Sequence, residues 1–113
     1  MKERFSFIAL EEAKQFLEKL DKKSRKKVMY NIWKTKSIND KNLFKPIQGE
    51  IWEFRTLFNK KYIRIFAFWD KSDNLNTIVA ATHGIYKTTD KIPKSDIERA
   101  ERIRNQYFIN KSK

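Results

Sequence analysis

The sequence predicts an α+β protein in which helices precede and follow a run of antiparallel strands. The main indication is the stretch 49–93, where three runs rich in β-branched and aromatic residues are separated by polar breaks. The three runs are Ile51–Phe58, Tyr62–Trp69 and Thr77–Ile85. Because neighbours joined by short breaks pair antiparallel, we expect a three-stranded meander. On both sides of this stretch the apolar spacing changes to the helical repeat.

The N-terminal residues predict a short strand and then a helix. Phe5, Phe7 and Ala9 alternate with other residues, which is typical of a strand, and we expect it to join the meander. The next apolar residues fall on one side of a helix, and we expect that side to face the core. They are Leu10, Ala13, Leu17 and Leu20.

A second helix is predicted from Lys22 to about Lys36, with Asp21 as its N-cap. Its predicted apolar ridge comprises Val28, Met29, Ile32 and Trp33. Its other face is basic and comprises Lys22, Lys23, Arg25, Lys26, Lys27, Lys34 and Lys36. Two interpretations of this basic face remain open: an ordinary solvated surface, or a surface that contacts RNA phosphates.

Residues 37–48 are polar, and we expect a connector without regular structure. Its predicted tethers to the core are Leu43, Phe44 and Ile47. After the meander, the S-x-x-E pattern Ser95–Glu98 follows Pro93 and predicts a capping box at the start of a last helix. That helix presents an apolar face through Ile97, Ala100 and Tyr107, and we expect residues 110–113 to be frayed.

Size and charge narrow the classes of function. A chain of 113 residues suits one domain, which we place at 1–113. The formal net charge of +12 exceeds what solubility requires and favours a polyanion such as nucleic acid. A lysine-rich background composition and an acidic protein partner remain alternatives. No cysteine is present and no apolar run is long enough for a membrane span, so we expect a cytoplasmic protein.

Two arginines lie inside the predicted strands and need a partner. Alternation along the first run of the meander places Arg55 on the face opposite the aromatic residues, while Arg64 in the next run lies among aromatic residues. A desolvated arginine requires either a bound anion or a carboxylate. A salt bridge to Glu53 or Glu50 is therefore the alternative to a substrate phosphate for both arginines.

The residue types that dedicated metal and cofactor sites use are scarce. One histidine and no cysteine provide too few ligands for a zinc site, and we expect Asp70 and Asp73 to lie solvated in a turn. With two glycines in the chain, no glycine-rich phosphate loop can be identified. We therefore expect neither a metal nor a cofactor.

A cationic cluster remains as the candidate site. It comprises Arg55, Arg64, His83, Lys87 and Lys91, with Tyr62 and Tyr86 as stacking or hydrogen-bonding groups. Such groups can cleave RNA without a metal. The 2′-hydroxyl attacks the adjacent phosphate, cationic side chains stabilise the phosphorane, and a histidine or lysine moves protons.

Five segments, in this order and spacing, resemble the RelE/HigB toxins of type II toxin–antitoxin modules, especially their phage-derived branch. The segments are Lys45-Pro46-Ile47-Gln48-Gly49, Ile51-Trp52-Glu53-Phe54-Arg55, Tyr62-Ile63-Arg64-Ile65, His83-Gly84-Ile85-Tyr86-Lys87 and Lys91-Ile92-Pro93. The branch pattern reads K-P-L-x-G, L-x-E-L-R, Y-R-I, L-H-G-F-x-K-K and K-T-P. The resemblance implies a RelE-like fold, with two N-terminal helices against an antiparallel sheet of three to five strands and a C-terminal helix.

The resemblance also implies an activity and partners. It implies a ribosome-dependent endoribonuclease that cuts mRNA and arrests growth, together with a cognate helix-turn-helix antitoxin through which operator DNA is bound. Arg64 matches the phosphate-contacting strand arginine, Lys87 a basic position on the last strand, and Arg55 the L-R arginine. His83 matches the L-H-G histidine, for which proton transfer and a structural hydrogen bond remain equal alternatives. RNA contacts are expected from Tyr62, Tyr86, Lys91 and Lys45.

Two other functions are compatible with the sequence. A gyrase poison of the ParE type would keep the fold and bind a protein target without cutting RNA. A non-enzymatic nucleic-acid binder would act through the basic second helix. Relatives also place a catalytic tyrosine near the site, for which Tyr86 and Tyr107 are the candidates in this chain.

Overall fold

The computed structural model describes residues 3–87 and 91–113, which form five strands and three helices. In chain order these are β1 (Ser6–Ala9), α1 (Glu11–Lys19), α2 (Lys22–Ser37), β2 (Phe44–Gln48), β3 (Ile51–Phe58), β4 (Lys61–Asp70), β5 (Ile78–Lys87) and α3 (Lys94–Lys111). The α+β prediction is confirmed, and the arrangement is consistent with a RelE-like fold.

The strands form one sheet in the order β1-β5-β4-β3-β2. Strands β2 to β5 are antiparallel, so the predicted meander is confirmed. The predicted N-terminal strand does join it, but β1 lies parallel to β5, so the sheet is mixed rather than antiparallel. Most of the chain lies between β1 and β5, so no tight turn joins them and determines the direction of β1. In the β3–β4 turn, Asn59 and Lys60 both have positive φ, which is typical of a tight hairpin.

Helices α1 and α2 cover one face of the sheet. Leu17 and Ile32 pack there with Phe54, Ile63 and Ile65 in the larger of two hydrophobic clusters. The Asp21 cap is confirmed, since the backbone N–H of Ser24 donates to Asp21 Oδ2 at 3.1 Å.

The predicted apolar ridge of α2 is confirmed for Val28 and Ile32, which are buried. It is wrong for Met29 and Trp33, which are exposed. The buried stripe of α2 continues through polar residues instead. It consists of Ser24, Val28, Asn31, Ile32 and Thr35. Asn31 donates to Thr56 Oγ1 of β3 at 3.1 Å, which explains how a polar side chain can occupy this interface.

Helix α3 covers the other face of the sheet, where Tyr107 and Phe108 pack on Phe68. The capping-box prediction is wrong, because α3 begins at Lys94 and its N-cap is Pro93, which makes no side-chain capping hydrogen bond. Asp96 bonds to the sheet instead, as described below. The prediction that residues 110–113 are frayed is wrong for Asn110 and Lys111, because α3 continues to Lys111.

The predicted connector contains an edge strand. β2 pairs with β3, and Phe44 stacks on Phe54 with ring centroids 4.1 Å apart, so the tether through Phe44 is confirmed. The prediction of irregular structure is wrong for residues 44–48. Pro46 lowers the strand propensity of this segment, yet an edge strand tolerates a proline because one side of it needs no backbone donor.

Across residues 3–87 and 91–113, none of the helices combines the length and the apolar character that crossing a membrane requires.

Candidate functional site

Two neighbouring strands place the arginines on the sheet face that α3 partly covers. Buried apolar side chains of the β3–β4 pair alternate between the two faces of the sheet, and Glu53 and Arg55 project on the α3 side. Arg55 of β3 lies directly opposite Arg64 of β4. Tyr62, two residues before Arg64 on β4, shares this face with it, so the polar groups are concentrated toward the start of β4.

A β-bulge in β5 adds Lys87 to the same face. His83 pairs with Phe66 and Ala81 pairs with Ala67, so Thr82 is an extra residue on β5. Continued alternation from Ala81 would place Lys87 on the α1–α2 side. The bulge reverses the alternation, and Lys87 lies opposite Tyr62 and diagonal to Arg64.

Glu53 holds the two arginines together. Its Oε1 lies 3.2 Å from Arg64 Nε, and its Oε2 lies 4.0 Å from Arg55 Nε. Glu53 is 2% exposed and Arg64 is 5% exposed. Charges this deeply buried require a partner, so the salt bridge considered from the sequence does form. The carboxylate is thus the counter-charge of the buried Arg64 guanidinium.

The arginines border an open groove of about 470 Å³, which extends from the α3 side of β3 around the edge of this strand to α2 on the other side of the sheet. Its lining includes Arg55, Tyr62 and Arg64 from the sheet and Lys27, Tyr30 and Lys34 from α2. Tyr62 is half-exposed, and its ring centroid lies 5.9 Å from the Arg64 guanidinium carbon. The groove opens where β2 stops pairing with β3 at Phe54. Among the described strands, none pairs with this edge of β3 beyond Arg55, whose N–H donates to Leu43 O.

His83 lies beneath α3 and is 1% exposed. Its Nε2 is 3.2 Å from Asp96 Oδ1, and its Nδ1 is 3.1 Å from Thr82 Oγ1. Burial lowers the pKa of His83 below its ordinary value, although the hydrogen bond to Asp96 opposes this effect. The imidazole therefore favours its neutral form and joins β5 to α3. A role in proton transfer stays a prediction.

Three other predicted RNA contacts are dispersed. Lys45 lies opposite Glu53 on the edge strand, partly exposed, and Lys91 is exposed shortly before α3. Tyr86 lies on the opposite face of the sheet from Lys87, with its ring 5.4 Å from that of Phe16. The structure thus brings together Arg55, Arg64, Tyr62 and Lys87. It does not bring Tyr86 to them, and the RNA-binding roles stay predictions.

Asp70 forms a polar site that the sequence pattern does not predict. It is buried at the end of β4 rather than solvated in a turn, so that expectation is wrong. Lys111 and Tyr107 donate to its Oδ2 at 2.5 and 2.6 Å, and Ser72 donates to its Oδ1. Burial alone would raise the pKa of Asp70, but these hydrogen bonds hold it well below the ordinary value. Tyr107, one candidate catalytic tyrosine, is thus bound at the far end of β4 from Arg64.

Among the described residues, no three His, Cys, Asp or Glu side chains come close enough together to hold a metal ion.

Comparison with known proteins identifies a family. A family model described as "Phage derived protein Gp49-like (DUF891)" matches residues 15–105. The match covers most of the chain and includes Arg55, Arg64, His83 and Lys87. This family lies within the RelE-like group of toxins of toxin–antitoxin systems. No curated protein matches the sequence.

Proposed function

Because the chain belongs to the Gp49-like phage-derived family, whose members are toxins of toxin–antitoxin systems, we propose that it cleaves mRNA on the ribosome. A cognate antitoxin is the partner that the family implies. A helix-turn-helix antitoxin that also binds operator DNA belongs to this proposal, as do the ribosome and mRNA.

One observation carries the proposal. Two arginines from neighbouring strands border an open groove, and one buried carboxylate is the counter-charge of both. On the next strand, Lys87 lies diagonal to Arg64. Arg64 and Lys87 are nearly buried, whereas Arg55 and Tyr62 are accessible at the groove. A phosphodiester that enters past Tyr62 meets positive charge in a partly desolvated setting, where electrostatic stabilisation is strongest.

The proposed reaction needs only the groups of the RNA and of this chain. The 2′-oxygen forms a bond to the adjacent phosphorus, the bond from phosphorus to the 5′-oxygen breaks, and a 2′,3′-cyclic phosphate and a 5′-hydroxyl result. Arg64 and Lys87 stabilise the phosphorane, and Arg55 supports the substrate. Protons must leave the 2′-oxygen and reach the 5′-oxygen. His83 can transfer them only if α3 moves, because Asp96 occupies its Nε2.

Expression in bacteria with primer extension on a reporter mRNA tests the proposal. We expect growth arrest and new 5′ ends for the wild type. We expect cleavage to fall about 100-fold or more in Lys87→Ala and Arg64→Lys, since each removes a positioned donor. Arg64→Lys is preferred to Arg64→Ala because it keeps a positive charge beside Glu53. Lys14→Ala, an exposed lysine of α1, is the matched control.

Three results would contradict the proposal. The first is growth arrest without new mRNA ends, the second is DNA damage as expected of a gyrase poison, and the third is equal cleavage by wild type and by both folded variants. Thermal unfolding of each purified variant checks that it is folded.

A further inference from the structure

Helix α2 presents an outer face that combines positive charge with exposed aromatic rings. Between Lys22 and Ser37 the sequence has seven Lys or Arg residues and no Asp or Glu. Tyr30 is 52% and Trp33 is 61% exposed, and their ring centroids lie 6.0 Å apart. Lys27 Nζ lies 5.5 Å from the Tyr30 ring centroid. A solvated helix face requires no such pair of rings, so this face suits a ligand that offers both negative charge and flat apolar surfaces.

The backbone of α2 is held in place independently of these exposed side chains. Asn31 bonds to β3, and Asp21 caps the first turn. Arg25 donates to three backbone carbonyls at the end of α1 and in the α1–α2 turn, each at 2.9 Å. Substitutions on the outer face therefore leave the contacts that position α2 unchanged.

The outer face of α2 is continuous with the candidate site. Lys27, Tyr30 and Lys34 line one side of the groove whose other side includes Arg55 and Arg64. An RNA strand lying along α2 would thus reach the two arginines by passing around the edge of β3.

We propose that this face of α2 binds a single-stranded segment of RNA beside the phosphate to be cleaved. Bases stack on Tyr30 and Trp33, and Lys27 and Lys34 contact phosphates. A duplex does not fit because its bases are already stacked on one another. An acidic protein would use the charge and leave the paired rings without a role. The choice of RNA, and the position of the cleaved bond, rest on the function proposed above.

Fluorescence anisotropy with a labelled, fully 2′-O-methylated RNA of about 12 nucleotides tests the inference, a length within the usual range for single-strand sites. This probe cannot be cleaved, so binding is measured separately from catalysis. We expect the double variant Tyr30→Ala/Trp33→Ala to bind about 5-fold to 150-fold more weakly for each base that loses its stack. Trp33→Phe keeps a ring and should retain most of the affinity. Lys87→Ala should also bind this probe, although its cleavage of unmodified mRNA should be lost.

The salt dependence of RNA binding distinguishes the contribution of the lysines from that of the aromatic rings. In Lys27→Ala/Lys34→Ala we expect the slope of log K against log salt to become shallower by about 1.4, because two phosphate contacts are lost. Lys14→Ala/Lys19→Ala removes the same charge from the exposed side of α1 and should leave the slope unchanged. The aromatic double variant should lower the affinity without changing the slope.

The outcomes of this inference and of the proposed function are distinguishable. The inference is overturned if the wild type does not bind the RNA, if the α2 variants bind like the wild type, or if they lose only antitoxin binding. The proposed function would still hold in the last two cases if mRNA cleavage depended on Lys87. Conversely, RNA binding that requires Tyr30 and Trp33, without any mRNA cleavage, would support this inference and refute the proposed function.

Discussion

Glu53 is the residue on which the candidate site depends, because it is the buried counter-charge beside both arginines. Each of its carboxylate oxygens faces a different guanidinium group. A neutral side chain here would leave buried positive charge without its counter-charge, and that is costly in a low-dielectric interior. Glu53 is thus a positioning residue whose removal should affect stability before it affects chemistry.

We predict that Glu53→Gln lowers the free energy of unfolding by about 3 kcal/mol, the usual scale for breaking a buried ion pair. Urea denaturation at neutral pH measures this change. Glu50→Gln, a neutral substitution at an exposed glutamate next to β3, is the control and should stay near the wild type. A denaturation midpoint for Glu53→Gln equal to that of the wild type would show that the ion pair contributes no net stability.

For single residues, the sequence predicts which side chains carry charge in the sheet, but not which partner each charged side chain has. The salt bridges of Arg55 and Arg64 remained one of two alternatives until Glu53 was placed between them. Asp70 was missed because its partners, Tyr107 and Lys111, come from a helix about 40 residues later in the chain. Sequence spacing carries little information about such long-range hydrogen bonds.

Among the elements, α3 is fastened to the sheet by polar contacts at both ends. Near its start Asp96 bonds to His83, and Arg99 pairs with Glu12 of α1. Near its end Lys111 reaches Asp70. The His83 contact lies on the same strand as Lys87, so the position of α3 and the geometry of the candidate site are linked through β5.

This link predicts a pH dependence. The pKa of His83 is lowered in the folded protein, so the unfolded chain binds the proton more tightly, and stability falls as the pH drops below about 6.5. Below the ordinary histidine pKa and above the lowered one, the slope approaches about 1.4 kcal/mol per pH unit for one proton. Asp96, Arg99 and Glu12 are the charged groups that act on this imidazole.

Urea denaturation between about pH 7.5 and pH 5.5 measures the effect, a range that brackets the ordinary histidine pKa. We expect the wild type to lose stability toward the lower pH and His83→Gln to show a much flatter profile. The chain has one histidine, so no other side chain of that type contributes. A flat wild-type profile, or an equally steep profile for His83→Gln, would contradict the buried neutral imidazole.

The elements were largely predictable, and each failure has a physical cause. The meander, β1 and all three helices follow from apolar spacing. β2 was missed because an edge strand needs neither strong alternation nor a donor at Pro46. The ridge of α2 was half wrong because Asn31 and Thr35 occupy buried positions through hydrogen bonds. The bulge at Thr82 has no sequence pattern of its own, so alternation along β5 does not predict that Lys87 shares a face with Arg64.

For the molecule as a whole, the net charge of +12 is unevenly distributed. The exposed side of α2 has no acidic residue, whereas Glu11, Glu12 and Glu18 lie on α1. The first turn of α2 begins with two lysines at the positive end of the helix dipole. Lys22 and Lys23 also lie four residues before Lys26 and Lys27, a spacing at which like charges repel.

We therefore predict that Lys22→Gln/Lys23→Gln raises the free energy of unfolding by about 1 kcal/mol at low salt, through relief of the dipole and pair repulsions. The gain should shrink in about 1 M salt, where the Debye length falls to about 3 Å. Thermal and urea unfolding at both salt concentrations measure it, with Lys41→Gln/Lys113→Gln, two exposed lysines outside the helices, as the control. A gain that persists at high salt, or that the control reproduces, would exclude local repulsion. A gain confined to low salt would mean that α2 keeps positive charge at a cost in stability, as expected of a surface that binds a polyanion.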